Sequence, residues 1–301
     1  MKKIFVSFCQ KFLLWFVLFF LFCIGCFSQA EPAQTRSLVL QEMSWVDIQA
    51  YLKSSDIIII PLGSTEQHGP HLPLGTDYYE AVGMSKMISA RTGVLVAPVL
   101  WAGYSQYHSG FPGTLSLKPE TMEQVLFETV KMLIKYGFRR FMFFNYHGGN
   151  NIVQSNVIHR INHTTEAVAV AIGHGSTFQK EEEEEFFDWH AGVSETSIML
   201  YLKPELVRME RAAKPEIHFT PKMRELFMLS RQYPALNIVW GSLMGVPAAT
   251  NKGGASHQLS SNGIWSFSDP KKATREKGEQ AVKNLVEEAV KFIEAWKKAK
   301  K

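Results

Sequence analysis

Four consecutive isoleucines, residues 57–60, run directly into a loop that is rich in glycine, proline and ionisable side chains. A β-branched run that ends at Pro61 and Gly63 is typical of a strand buried on both faces. Carboxylate oxygens and imidazole nitrogens are good ligands for divalent metals. The loop supplies both, at Glu66, His68, His71 and Asp77. Because open α/β sheets place their sites at the carboxyl ends of strands, we expect a site here.

The first 30 of the 301 residues have the layout of a secretory signal peptide. Two lysines precede an apolar run over residues 12–27, and Ser-Gln-Ala at positions 28–30 resembles a cleavage site. We therefore predict a signal peptide over 1–30, a single domain over 31–301, and export to the periplasm or medium. Two alternatives are an uncleaved membrane anchor and lipid attachment at Cys26.

Removal of this leader changes what the composition implies. All three cysteines lie within it, so the mature chain would have neither a disulfide nor a thiolate site. The leader also contains three of the 32 basic residues and none of the 28 acidic ones. The mature net charge is thus near +1, which gives no indication of a nucleic-acid partner.

Beyond the leader, apolar runs alternate with helical patterns, which predicts a parallel sheet covered by helices on both faces. The predicted strands are 57–62, 94–99, 139–145 and 167–172. The predicted helices are 44–53, 78–92, 119–136 and one that ends near His163. A further helix carries Glu195.

The pattern is less regular past Gly173. Residues 180–185 are a charged run, interpreted as a solvated loop or alternatively a lid. Residues 214–234 have little pattern and are interpreted as an insertion. The last helix is predicted to begin with Asp269 as its N-cap and Pro270 at its first position. Its apolar stripe is predicted to be Ala281, Leu285, Ala289, Phe292 and Trp296.

Other ionisable residues also follow strands. His147 comes directly after the third strand, and His190 and Glu195 come after the fourth. Since the carboxyl ends of parallel strands share one edge, these residues are expected to meet Glu66, His68 and Asp77 in one pocket. Such a set suits Zn²⁺, Mn²⁺ or Fe²⁺, and a carboxylate such as Asp77 can bridge two ions.

A metal site of this kind would polarise a carbonyl and activate water for hydrolysis of an amide. His190 is a candidate proton shuttle to the leaving nitrogen, because the ordinary pKa of histidine is near neutrality. His71 is interpreted as a hydrogen-bonding residue of the loop rather than as a ligand.

Five motifs, in order, resemble those of the creatininase (creatinine amidohydrolase) family. They are Gly-Ser-Thr-Glu-Gln-His-Gly-Pro-His-Leu-Pro-Leu-Gly-Thr-Asp at 63–77, Phe-Pro-Gly-Thr at 111–114, Asn-Tyr-His-Gly-Gly-Asn at 145–150, His-Ala-Gly with Glu-Thr-Ser at 190–197, and Asp-Pro at 269–270 with Ala-Thr at 273–274 and Glu-Lys-Gly at 276–278. The resemblance implies a three-layer α/β/α sandwich, usually assembled as a homohexamer. It also implies metal ligands at Glu66, His68, Asp77 and His147, with Asp77 as the bridge and His190 as the acid/base.

The same resemblance implies a small-molecule amide substrate. Known members open cyclic amides such as creatinine, deformylate formamides or cleave a modified peptide. Creatininases proper carry a metal-binding glutamate two residues after the histidine that matches His147, whereas this chain has Gly149. Glu195 is the predicted replacement ligand, so one or two ions are expected. The alternatives are a non-catalytic metabolite-binding protein on the same fold and a membrane-anchored assembly protein.

Overall fold

The computed structural model describes residues 37–173 and 187–299. The predicted leader and the charged run at 180–185 lie outside the described residues. A parallel sheet has the strand order β2-β1-β3-β4. The strands are β1 (Ile57–Leu62), β2 (Leu95–Val96), β3 (Arg140–Asn145) and β4 (Val168–Gly173). The structure therefore confirms the predicted parallel sheet, with a shorter second strand.

Nine α-helices are found among the described residues. They are α1 (Trp45–Ser54), α2 (Thr76–Thr92), α3 (Pro119–Tyr136), α4 (Asn151–Thr164), α5 (Val193–Leu202), α6 (Pro221–Gln232), α7 (Asn237–Gly241), α8 (Ser256–Leu259) and α9 (Arg275–Lys297). A two-stranded antiparallel ribbon pairs β5 (Asp188–His190) with β6 (Trp265–Ser266). A helix long and apolar enough to cross a membrane is absent from the described ranges.

Side chains on β1 alternate between the two faces of the sheet. Ile58 and Ile60 pack in a core with α1, α3 and α4, whereas Ile57 and Ile59 pack in a second core with α2, α5 and α9. All six residues of β1 are buried. Because each face of the sheet is covered by helices, the fold is the three-layer α/β/α sandwich that the family resemblance implied.

Local signals set several helix ends where they were predicted. Ser44 and Asp47 form a reciprocal capping box at the start of α1. Pro119 occupies the first turn of α3, and Gly137 ends that helix in a left-handed conformation. Helix α2 begins at Thr76, two residues earlier than expected. Asp77 therefore lies in the first turn of a helix rather than in the loop.

The last third of the chain departs from the sequence predictions. Asp269 and Pro270 begin only a 3₁₀ turn, and Thr274 caps α9 instead. The buried residues of α9 are Gly278, Val282, Val286, Ala289, Val290 and Ile293. Of the predicted stripe, Ala289 is among them, Ala281, Leu285 and Trp296 are partly buried against the same core, and Phe292 is exposed. Residues 214–234 contain α6, whose N-cap is Thr220. The ribbon β5-β6 was not predicted, because its strands have only three and two residues.

Candidate metal centre

The carboxyl ends of β1 and β3 meet the start of α5 at one pocket, and most of its lining residues are buried. The pocket is lined by Glu66, Asp77, Tyr107, His108, Tyr146, His147, Gly148, Asn151, Trp189, His190 and Glu195. His68 lies behind these residues, fully buried, beside Asp77. The structure thus brings together all six residues that the sequence analysis selected as ligands or as the proton shuttle.

Two sets of possible ligand atoms share Asp77. One set comprises Glu66, Asp77 and His147, and the other comprises His68, Asp77 and Glu195. His147 Nδ1 lies 3.2 Å from Asp77 Oδ2 and 3.3 Å from Glu66 Oε1. His68 Nε2 lies 3.1 Å from Asp77 Oδ1 and 3.7 Å from Glu195 Oε2. The two oxygens of Asp77 therefore face different sets, as a bridging carboxylate requires.

Hydrogen-bond partners assign which nitrogen each histidine presents to the carboxylates. His68 Nδ1 donates to the Glu66 carbonyl oxygen at 3.0 Å, which leaves Nε2 facing the acids. His147 Nε2 donates to the Tyr104 carbonyl oxygen at 3.0 Å, which leaves Nδ1 facing them. A backbone carbonyl behind each imidazole holds the tautomer that a metal ligand needs.

The charges of the pocket suit a bound cation. Its described lining contains three carboxylates but neither lysine nor arginine. Glu66 Oε1 and Asp77 Oδ2 are buried oxygens without a hydrogen bond of acceptable geometry among the described residues. Buried carboxylates need a compensating charge. These two oxygens and the free nitrogens of His68 and His147 form a donor set that fits Zn²⁺ or Mn²⁺.

In the absence of a metal, protons take over part of this compensation. Burial lowers the pKa of His68, but Asp77 and Glu195 outweigh burial and raise that pKa to about 10. Burial also lowers the pKa of His147, but the Glu66 carboxylate outweighs burial and holds that pKa well above its ordinary value. Burial, together with the Asp77 carboxylate, raises the pKa of Glu195 to about 8, although the positive charge of His68 lowers it. A metal would therefore bind in competition with protons.

His190 lies in a stack of three imidazoles. Its ring centroid is 4.3 Å from that of His68 and 4.2 Å from that of His108. His190 Nε2 donates to the Gln67 carbonyl oxygen at 2.6 Å, so Nδ1 is the nitrogen left for proton transfer. Burial, with His108 and His68, lowers the pKa of His190 well below the ordinary value. In the metal-free state His190 is therefore a neutral base, whereas its prediction as a shuttle assumed an ordinary pKa.

Two asparagines of the 145–150 motif fix the loops around the pocket. The backbone N–H of His147 donates to Asn145 Oδ1, and Asn145 Nδ2 donates to the His147 carbonyl oxygen. Asn150 Nδ2 donates to the Gly63 carbonyl oxygen, and Asn150 Oδ1 accepts from the Tyr104 N–H. These bonds connect the loops after β1, β2 and β3, so the ligands are held by the backbone rather than by side-chain packing alone.

His71 has the structural role that the sequence analysis gave it. His71 is buried, and its Nε2 lies 2.8 Å from Thr196 Oγ1 on α5. The side chain belongs to none of the possible ligand sets among the described residues. This contact ties the loop after β1 to the helix that carries Glu195.

Sequence reasoning missed several pocket residues. His108 Nε2 lies 3.3 Å from Glu66 Oε1, and Gln67 Nε2 donates to His108 Nδ1 at 3.0 Å. Tyr107 and Trp189 also line the pocket, and the buried Trp265 packs behind them, with the two indole ring centroids 4.8 Å apart. Loops and the short ribbon supply these residues, so no periodicity indicates them. The only signal was their position beside the recognised motifs.

Glu80 is a further buried acid close to the centre. It lies one helical turn after Asp77, is fully buried, and neither carboxylate oxygen makes a hydrogen bond among the described residues. Burial, with the Glu195 and Asp77 carboxylates, raises the pKa of Glu80 well above its ordinary value. Glu80 belongs to none of the possible ligand sets among the described residues.

Gly149 has no room for a side chain. A Cβ atom built on it would lie 2.1 Å from the Tyr104 carbonyl oxygen, 2.5 Å from His147 Nε2 and 2.8 Å from the Tyr107 hydroxyl. Contacts under 3 Å are too close for real Cβ atoms. The surrounding loops therefore leave no space for a carboxylate side chain at position 149.

Comparison with characterised proteins finds relatives that are hydrolases. A 3-dehydro-scyllo-inosose hydrolase of Thermotoga maritima is 34% identical over 186 residues, which cover 58% of this chain and 60% of that protein. A creatinine amidohydrolase of Pseudomonas putida is 29% identical over 212 residues, which cover 62% and 80%. A mycofactocin precursor peptide peptidase of Mycobacterium tuberculosis is 34% identical over 178 residues, which cover 52% and 63%.

Solved structures share the fold over most of the chain. A creatininase described with Mn has a TM-score of 0.68 and 25% identity, and the match covers 88% of this chain and all of that one. A mutant creatininase of Zn-Zn type has a TM-score of 0.67 and 24% identity over the same shares. Residues 41–293 match the family model described as creatinine amidohydrolase. The chain therefore belongs to the creatininase family.

Proposed function

We propose that the protein is a metal-dependent amidohydrolase that hydrolyses a C–N bond in a small cyclic amide or formamide. The observation that carries this proposal is the pair of ligand sets that share Asp77, with Glu66 and His147 on one side and His68 and Glu195 on the other. A divalent ion bound there would lower the pKa of a water molecule and polarise a carbonyl group. The ion is expected to be Zn²⁺ or Mn²⁺, with Fe²⁺ as a third choice and one or two ions bound.

The chain's own residues would do the remaining work. His190 presents Nδ1 3.7 Å from Glu66 Oε1, at the edge of the ligand set, while its Nε2 proton is held by the Gln67 carbonyl oxygen. His190 would accept a proton from the attacking water at Nδ1 and deliver it to the leaving nitrogen. The Trp189 ring, backed by the buried Trp265, supplies a flat apolar wall of the pocket that Glu66 and His147 also line, which suits a small planar amide.

The relatives favour hydrolysis but differ in what they act on, since their names include an inosose hydrolase, a creatinine amidohydrolase and a peptide peptidase. A small amide is favoured over a peptide here, because most of the residues that line the pocket are buried and the Trp189 ring flanks the candidate ligands. We also propose an exported homo-oligomer, on the basis of the leader and the family resemblance.

The first test is metal analysis of purified protein, with Asp77→Asn as the variant and the exposed Glu210→Gln as its matched control. We expect at least one divalent ion per chain in the wild type and in Glu210→Gln, and much less in Asp77→Asn. A wild-type protein without stoichiometric metal, together with unchanged metal content in Asp77→Asn, would sink the proposal. A screen of lactams, formamides, small amides and a peptide then distinguishes the substrate classes, with Asp77→Asn as the blank.

A further inference from the structure

Tyr107 has a position beside the metal centre that the family motifs do not describe. It lies in a one-turn 3₁₀ helix, Gln106–His108, in the loop after β2. Its ring centroid is 6.4 Å from that of Trp265 and 6.3 Å from that of His147, with nearly parallel planes in both cases. A Cβ built on Gly245 would lie 3.3 Å from the ring, so the glycine backbone closes one side. These contacts hold the ring in one orientation.

The Tyr107 hydroxyl borders the space where a side chain at position 149 would begin, together with the Tyr104 carbonyl oxygen and His147 Nε2. The built Cβ of Gly149 lies 2.8 Å from this hydroxyl and 2.5 Å from His147 Nε2. The hydroxyl therefore lies close to a candidate ligand, on the side of its Nε2 atom. By the family resemblance, creatininases proper place a glutamate at this position. This chain instead has a glycine and a phenol that reaches in from a different loop.

The phenol and the glutamate differ in chemistry. A phenol has an ordinary pKa near 10, and burial raises that of Tyr107, so the hydroxyl keeps its proton at neutral pH. Tyr107 lines the same pocket as Glu66, Asp77 and His147. The group is thus a neutral hydrogen-bond donor on a residue that lines the pocket beside His147.

We propose that the Tyr107 hydroxyl donates a hydrogen bond to the oxygen of the substrate's reacting carbonyl and holds it beside His147. The inference rests on the proposed function and adds a residue that binds the reacting group. Negative charge develops on that oxygen as water attacks, so a fixed donor stabilises the transition state more than the ground state. The substrate would need a carbonyl or similar oxygen acceptor. The proton transfers stay with His190, because a neutral phenol is a poor base.

The test uses inorganic phosphate as a tetrahedral oxyanion probe of the Mn²⁺-loaded protein. Calorimetric titration compares wild type with Tyr107→Phe, which removes the hydroxyl and keeps the ring. The matched control is Tyr201→Phe, on α5, whose ring packs against Arg275 at 5.1 Å and lies outside the pocket. Metal content and thermal midpoint are measured for all three proteins, so that loss of metal or of folding is recognised.

We expect Tyr107→Phe to bind phosphate at least tenfold more weakly than wild type, with equal metal content, and Tyr201→Phe to match wild type. With an amide found in the substrate screen, kcat should fall about 10²-fold and KM should change less. Equal phosphate affinity in wild type and Tyr107→Phe overturns the assignment of Tyr107. A metal-loaded wild type that binds no phosphate overturns it as well. Both results leave the proposed function standing. A protein that takes up no metal overturns both.

Discussion

Removal of the metal should make the stability of the protein strongly dependent on pH. Burial with Asp77 raises the pKa of Glu195 to about 8, and the neighbouring acids raise the pKa of His68 to about 10. The ordinary values are 4.5 and 6.5. Between pH 6.5 and 8 the folded protein keeps both protons, and His147 and Glu80, whose pKa values are also raised, keep theirs; the unfolded chain has released them. The free energy of unfolding therefore falls as pH rises through this window.

The size of this loss follows from the number of retained protons. Each one lowers the free energy of unfolding by about 1.4 kcal/mol per pH unit. Over this window His68 and Glu195 together give about 3–4 kcal/mol, reduced somewhat because their charged atoms are 3.7 Å apart and the two groups titrate together. The protons of His147 and Glu80 add to this loss. This is a large fraction of the stability of a typical domain. We expect the metal-loaded protein to show much less pH dependence, since a metal keeps its ligands deprotonated.

Below pH 6.5 the dependence should reverse. Burial is the main cause that lowers the pKa of His71 and of His108 to about 4, and it also lowers that of His190. The folded state then holds fewer protons on these three histidines than the unfolded chain does. Glu80 and Glu195 keep protons in the folded state that the unfolded chain has lost, but these are two groups against three histidines. The metal-free protein is therefore expected to be most stable near pH 6.5.

The assay is urea unfolding in the presence of EDTA at pH 6.5 and pH 8, at constant ionic strength, with Mn²⁺-loaded protein in parallel. Glu195→Gln mimics the protonated acid and should reduce the loss between the two pH values by about 2 kcal/mol. Glu210→Gln, on an exposed glutamate, should behave as wild type. The reasoning is refuted if the metal-free wild type has the same free energy of unfolding at both pH values, or if Glu195→Gln keeps the full loss.

Three further predictions concern packing. Gly278→Ala should lower the free energy of unfolding by about 2 kcal/mol or more, because the new Cβ would lie 1.9 Å from the Ser197 carbonyl oxygen and force α9 away from α5. The control is Gly241→Ala, which has open space around the new Cβ. Equal urea midpoints for the two variants would contradict the prediction. Phe143→Ala empties a fully buried position of β3 and should cost about 3–5 kcal/mol by the same assay. Glu80→Leu removes a buried carboxyl without a partner and should stabilise the metal-free protein by about 1–2 kcal/mol at pH 8, so an unchanged or lower midpoint would argue against it.

Local rules predicted the elements whose ends carry their own chemical signals. Strand β1 and helix α3 have the bounds that the sequence indicated, because proline, glycine and an apolar period all agree there. The predicted N-cap of α9, Asp269, was wrong for a related reason. Both Asp269 and Thr274 are good N-caps, and the contact of the helix with α5 selects the second. A choice between two adequate caps depends on tertiary packing.

The sequence alone determined the chemistry of the centre: acids and histidines that follow neighbouring parallel strands must share one edge of the sheet, whatever the details of packing. Only the tertiary structure decided how these groups are used. It assigns the tautomers of His68 and His147 through backbone carbonyls, and it depresses the pKa of His190 by burial. It also fills the space beside Gly149 with Tyr107. These outcomes come from loops distant in sequence that meet at van der Waals distance, and no local pattern encodes such contacts.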